Sequence, residues 1–132
     1  MKEFMLKILT PEKSFFTGKV TKVITEDRSG SIGILCEHEP MVGMLVPNVT
    51  TFVTEDGEKK AFISQGILKV DSDSVSLLCD AAEWPEDIDF SRAEKAKERA
   101  EKRLKEKDNN LDVLRAEIAL KRSLTRLKLN AK

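Results

Sequence analysis

The hydrophobic pattern changes period at Pro85, and no single regular element accommodates both sides of that change. From residue 3 to about residue 80 the apolar residues come in short runs separated by turn residues. In "FMLKIL" the alternation puts Phe4, Leu6 and Ile8 on one face, and "KVTKVIT", "GSIGIL", "VGMLV", "VTTFVT", "KAFIS", "GILKV" and "SVSLLC" follow at short intervals, the period of β-strands. Asp56-Gly57 separates two of these runs with the dipeptide that accepts a tight hairpin's positive φ angles. Asp71-Ser72-Asp73 reads as a second hairpin connection. Eight or so short strands with such turns make an antiparallel β-sandwich or flattened barrel.

Beyond Pro85 the spacing becomes three and four. Ala93, Ala96, Ala100 and Leu104 form one helix face, with Glu94, Lys97, Glu98, Glu101 and Lys105 around them. Lys107-Asp108-Asn109-Asn110 interrupts, and a second helix runs from about Leu111 with Val113, Ala116, Leu120, Leu124 and Leu127 on one side. The expected fold is α+β: a sandwich over residues 1–84, then an antiparallel two-helix hairpin over 85–132, with roughly 18 residues and about 27 Å per arm. Alanines let helix axes approach closely but bury little area, each contributing much less than the ~1.5–3 kcal/mol of a buried Leu or Val. Such a hairpin is weakly closed.

Charge divides at the same place. The 132 residues carry 23 Lys plus Arg and 23 Asp plus Glu, a balance that argues against non-specific binding to nucleic acid or acidic membrane. Residues 1–85 hold 9 basic and 13 acidic side chains, whereas 86–132 hold 14 and 10. Cys36, Cys79 and the lone His38 cannot assemble a disulfide framework or a standard zinc set, and a reducing compartment is the simpler reading. No run approaches the ~20 apolar residues of a membrane span, so the chain is expected to be soluble and intracellular, with freedom to dock on a membrane complex.

Arginines give the hairpin its chemistry. Arg92 and Arg99 lie seven apart and face the same way, as do Arg122 and Arg126, four apart on the other arm. Folding the hairpin lets all four converge, where without a counter-ion they repel. Arginine suits bidentate phosphate recognition, and four match a nucleoside triphosphate in charge. Asp89, in the first helix's opening turn, can accept from an exocyclic amine such as adenine's, with Ile88 and Ala93 as an apolar wall and the helix amides adding positive potential. The plainer reading is that Asp89 caps the helix and the arginines are solvated or paired with acids at i+4. Spacing alone leaves both standing.

"GSIGILCEHEPMVGMLVPN" (30–48), "LLCDAAE" (77–83) and "IDFSRA" (88–93) together resemble the epsilon subunit of bacterial F-type ATP synthases, over nearly the entire chain. "IDFSRA" is similar to that family's ATP-binding pattern, and Leu35-Cys36-Glu37-His38 departs from the family's usual Leu-Pro-Gly-His. The resemblance implies ATP-binding residues Glu83, Ile88, Asp89, Arg92, Ala93, Arg99, Arg122 and Arg126, with ATP as a regulatory ligand that does not require magnesium. It implies a non-catalytic rotor subunit of a proton- or sodium-translocating ATP synthase, peripheral on the cytoplasmic face of the bacterial plasma membrane. The sandwich is then expected to dock on the gamma subunit and the c-ring. The hairpin is expected to be compact with ATP and, when extended, to meet the alpha and beta subunits through its basic second helix (Arg115, Lys121, Arg122, Arg126, Lys128) and inhibit hydrolysis. The alternative is the same subunit with a fixed structural or inhibitory hairpin.

Other classes fit poorly. Cys36 and His38, two apart on one strand, would merely share a face, with no acid placed to orient the histidine, and neither a phosphate loop nor an H-E-x-x-H motif occurs. A single-strand nucleic-acid barrel needs exposed aromatics on a basic sheet, whereas this half is net negative and lacks Tyr. Trp84, at the junction, reads as a packing residue.

Overall fold

The computed structural model describes residues 2–106 and 112–130; the expected interruption at Lys107–Asn110 and the helix start at Leu111 lie outside them. Ten strands come first: β1 (Phe4–Leu9), β2 (Ser14–Val20), β3 (Lys22–Asp27), β4 (Gly30–Ile34), β5 (Met41–Leu45), β6 (Asn48–Thr54), β7 (Gly57–Ile63), β8 (Gly66–Val70), β9 (Ser74–Cys79) and β10 (Ala82–Glu83). A 3₁₀ turn at Pro85–Asp87 leads into α1 (Phe90–Glu106) and then α2 (Val113–Lys128).

The strands form one sheet in the order β10-β7-β6-β3-β5-β8-β9-β1-β2, with β4 paired to β3. It curls until β2 meets β6, where the Thr21 amide donates to the Val53 carbonyl at 2.9 Å and the Phe16 and Phe52 rings sit 4.7 Å apart. This is the expected flattened barrel. Pairing is antiparallel throughout except between β1 and β9, which run parallel with Met5 opposite Ser74 and Leu9 opposite Leu78. Local patterns carry no information on that long-range partner.

Alternation predicts the buried side correctly. Phe4, Leu6 and Ile8 point inward, joined by Val20, Val23, Ile34, Phe52, Leu68, Val70, Val75 and Leu77, all buried. At ~1.5–3 kcal/mol for each fully buried large side chain, this core is the main apolar store of the molecule. Within it lies a satisfied polar knot: the hydroxyls of Thr25 and Thr50 donate to Asn48 Oδ1 at 3.2 and 2.7 Å, and Asn48 Nδ2 donates to the Val46 carbonyl at 2.7 Å. Those bonds set the β5–β6 connection, which carries Pro47. Where β8 crosses β9, a Cβ on Gly66 would strike the Leu78 carbonyl, so only glycine allows the approach.

Two local expectations change. "KVTKVIT" is not one strand; it breaks at Thr21 between β2 and β3, and β2 begins at Ser14, because Phe15 and Phe16 are both half-buried and show no alternation. Cys36 and His38 lie past the end of β4 in an irregular segment rather than on a strand. Cys36 Sγ lies 3.7 Å from the Glu3 carbonyl, while His38 Nδ1 lies 2.8 Å from the Glu39 carbonyl. Between them Glu37 holds φ of 65°, the left-handed region in which a Cβ is strained, at the position where the resembled family has glycine.

Glu37→Gly should therefore raise the thermal midpoint by a few degrees; its ion pair with Lys2 at 2.9 Å is 70–75% exposed at both ends and contributes little. Cys79 supplies a pH test. Burial pushes its thiol from 9.0 up to about 11, with the nearby Asp80 adding to the shift. The folded state thus keeps this proton where the unfolded chain releases it, so the contribution is complete below pH 9 and lost as pH rises through 11. In urea unfolding, the stability gap between the native chain and Cys79→Ala should narrow from pH 8 to pH 11.

Candidate functional site

The hairpin lies folded along the sandwich, and α2 makes the contact. On α2 the buried residues are Ala116, Ser123 and Thr125, whereas Val113 and Leu124, expected on the buried stripe, are 51% and 39% exposed. The face is rotated because α2 packs at once on α1 and on the sandwich, and small side chains permit both approaches. Thr125 donates to the Lys121 carbonyl at 2.6 Å, with the Pro47 carbonyl at 3.5 Å. Lys121 Nζ lies 3.3 Å from Glu26 of β3. One helical turn from Arg122, Arg126 donates through Nε to Glu83 Oε1 at 2.7 Å and stacks its guanidinium 4.3 Å from the centre of the Phe62 ring.

α1 is set by Asp89. Its carbonyl accepts from the Ala93 amide and its Oδ1 from the Arg92 amide, both at 3.0 Å, the bond of a helix cap. Ala93 and Ala100 are buried against α2. Ile88 ends the 3₁₀ turn and is buried at 8% exposure. Trp84 stacks on Phe15 with centroids 4.5 Å apart and lies 6.1 Å from Phe52, a packing role in the sandwich.

These placements enclose a cavity of about 480 Å³. Glu83, Asp89, Arg92, Ala93, Arg99, Arg122 and Arg126 all line it, and Asp87 adds a carboxylate. Of the residues named from the sequence, Ile88 alone is not on the wall; it lies buried next to it in sequence. Among the described residues, Arg92, Arg99 and Arg122 have no carboxylate within ion-pair distance. Among the described residues Arg126 pairs through Nε with Glu83, so its two terminal nitrogens remain for a ligand. Asp89 likewise caps through Oδ1 and leaves Oδ2.

A second cavity of about 690 Å³ continues along the helices and adds Arg103 and Arg115, neither of which the sequence places in the nucleotide site. A signal for them exists. Arg92, Arg99 and Arg103 are spaced seven and four, and Arg115, Arg122 and Arg126 repeat that spacing on the other arm.

Among the described residues there is no group of three or more His, Cys, Asp or Glu that could hold a metal ion, and no helix long and apolar enough to cross a membrane. The architecture has two parts: a β-sandwich carrying a helical arm across an arginine-lined groove. Two family profiles match, described as "ATP synthase, Delta/Epsilon chain, beta-sandwich domain" over residues 3–85 and "ATP synthase, Delta/Epsilon chain, long alpha-helix domain" over 86–129. The chain therefore belongs to the ATP synthase delta/epsilon chain family, whose members are non-catalytic subunits. It is 51% identical to the ATP synthase epsilon chain of Clostridium novyi, covering 97% of this chain and 98% of that one. It is 45% identical to that of Caldanaerobacter subterraneus, covering 99% and 96%. A chain of the Euglena gracilis mitochondrial ATP synthase (OSCP/F1/c-ring) has the same fold, with a TM-score of 0.82 at 24% identity over 96% of this chain and 79% of that one.

Arg126→Lys keeps the charge but loses the fork and the ring stacking, and should cost about 1–2 kcal/mol in urea unfolding. A double-mutant cycle with Glu83→Gln should return a coupling of about 1 kcal/mol; a coupling near zero would mean that the pair does not hold α2.

Proposed function

We propose that the chain is a central-stalk subunit of a bacterial F-type ATP synthase whose helical hairpin senses ATP. The observation that carries the sensor reading is the convergence of Arg92, Arg99, Arg122 and Arg126 on one cavity beside Asp89. Its size falls within the ~300–1,000 Å³ typical of small-molecule sites. Adenine would sit against Ala93 and the turn at Ile88, with its exocyclic amine on the free Asp89 oxygen, and the phosphates would meet the guanidinium groups. Glu83 would act by aiming Arg126. Positive charge from the arginines offsets the negative charge of the phosphates, so binding is proposed not to require magnesium.

The sandwich would dock on the gamma subunit and the c-ring. Met44, Ile67 and Leu78 align in register across β5, β8 and β9 at 52%, 42% and 42% exposure, and Leu9 of β1 continues the row. An outward apolar row of this kind supports a protein interface. The subunit would then be peripheral, at the cytoplasmic face of the plasma membrane.

ATP would favour the compact arm because only there do both helices reach the phosphates. Moving a population from 1:99 to 99:1 takes a differential affinity of about 5.5 kcal/mol. Four charge-assisted contacts at roughly 1.5–3 kcal/mol each, before ordering costs, are of sufficient size. Released, the basic α2 would extend toward the alpha and beta subunits and inhibit hydrolysis. The second reading, a fixed structural or inhibitory hairpin, draws on the Arg126–Glu83 and Lys121–Glu26 contacts, which hold α2 to the sandwich through the protein's own carboxylates.

Calorimetric titration separates the two. The folded chain should bind ATP and take GTP at least tenfold more weakly, since guanine offers a carbonyl where adenine offers an amine. Asp89→Ala with Arg92→Ala should abolish the heat. A folded chain that gives no heat with millimolar ATP would leave the fixed hairpin as the reading.

A further inference from the structure

Ala96, Arg99, Ala119 and Arg122 are walls of both cavities, so the two are lobes of one groove between α1 and α2. The linings divide the six arginines into three pairs, or rungs: Arg92 with Arg126 in the lobe beside Asp89, Arg99 with Arg122 shared by both lobes, and Arg103 with Arg115 in the other. The first two rungs line the lobe beside Asp89. The last two line the distal lobe, the larger of the pair at about 690 Å³.

Among the described residues, the carboxylates that line the distal lobe pair with groups other than the side chains of that third rung. The distal lobe holds two, Glu106 and Asp112. Asp112 caps α2 by accepting from the Arg115 amide at 3.0 Å, and Glu106 lies 3.9 Å from Lys102 Nζ. Among the described residues, neither Arg103 nor Arg115 has a carboxylate within ion-pair distance. The walls between the rungs are alanines, Ala96, Ala100, Ala116 and Ala119, which leave room and compete for no hydrogen bond. From Arg92 to Arg103 the α1 wall runs about 16 Å at 1.5 Å per residue, past the rungs that a triphosphate would engage.

We propose that the distal lobe is an anion subsite for phosphate groups beyond the third, so that the groove prefers adenosine polyphosphates with chains longer than that of ATP. This rests on reading the first lobe as a nucleotide site. A flexible phosphate chain follows a narrow groove walled by two helices, and planar guanidinium forks on both sides meet each added group bidentately.

The test titrates the full chain with ATP, adenosine 5′-tetraphosphate, inorganic tripolyphosphate and a hexaglutamate peptide, each against the native chain and Arg103→Ala with Arg115→Ala. Both arginines are exposed and alanine is the stronger helix former, so the variant should keep its fold, which circular dichroism checks. The native chain should bind adenosine tetraphosphate about tenfold more tightly than ATP, on the scale of one charge-assisted hydrogen bond, and the double variant should bring that ratio near one. Equal affinities in the native chain, or an unchanged ratio in the variant, overturn the proposal, as does hexaglutamate binding as tightly as tripolyphosphate. If neither nucleotide binds while tripolyphosphate does so only with Arg103 and Arg115 present, the nucleotide reading falls and the anion subsite stands. If tripolyphosphate also gives no heat, both fall.

Discussion

The arm is held to the body by polar contacts, and the rest of the structure's behaviour follows from that. Along α1 and α2 the buried residues are Ala93, Ala100, Ala116, Ser123 and Thr125, too small to supply more than a fraction of what Phe52 or Leu6 gives the sandwich. Position comes instead from Arg126 on Glu83 and Phe62, Lys121 on Glu26, and Thr125 beside Pro47. Part-exposed ion pairs and a cation–π contact are each worth about 1 kcal/mol and are weakened by salt. The core below them is not. One chain thus combines a body that stays folded with a limb whose docking is a small free-energy difference.

The same economy shows in how single side chains serve two ends. Asp89 starts α1 with one oxygen and faces the groove with the other. Glu83 fixes Arg126, and by taking only Nε it directs the remainder of the fork toward the cavity. Opposed rungs of like charge work against closure, so any polyanion that bridges them shifts the arm's equilibrium by its own differential binding. The net negative sandwich and net positive hairpin favour the docked arm at long range without specifying its register.

Much of this was legible beforehand, and for identifiable reasons. Alternation exposes one-sided burial, so the inward face of β1 could be read directly, and Gly57 takes φ of 119° at the turn that Asp56-Gly57 announces. β2 was hidden because its two phenylalanines are neighbours in sequence, and the parallel β1–β9 pairing because register between distant strands leaves no periodic trace. The buried side of α2 was misjudged because a leucine stripe predicts one partner, whereas this helix has two. Arg92, Arg99, Arg122 and Arg126 could be grouped from helical spacing alone; Arg103 and Arg115 needed the spacing of one helix to be compared with that of the other.

The parallel contact of β1 with β9 has a consequence for how the molecule is made. β1 is synthesised before β9 and cannot complete its pairing until that strand has been made. Throughout translation of the intervening residues β1 has β2 on one side and an open edge on the other, and open edges recruit other chains. A nascent or prematurely terminated product that stops before β9 keeps that edge, which makes truncated chains the species most prone to aggregate in the cell.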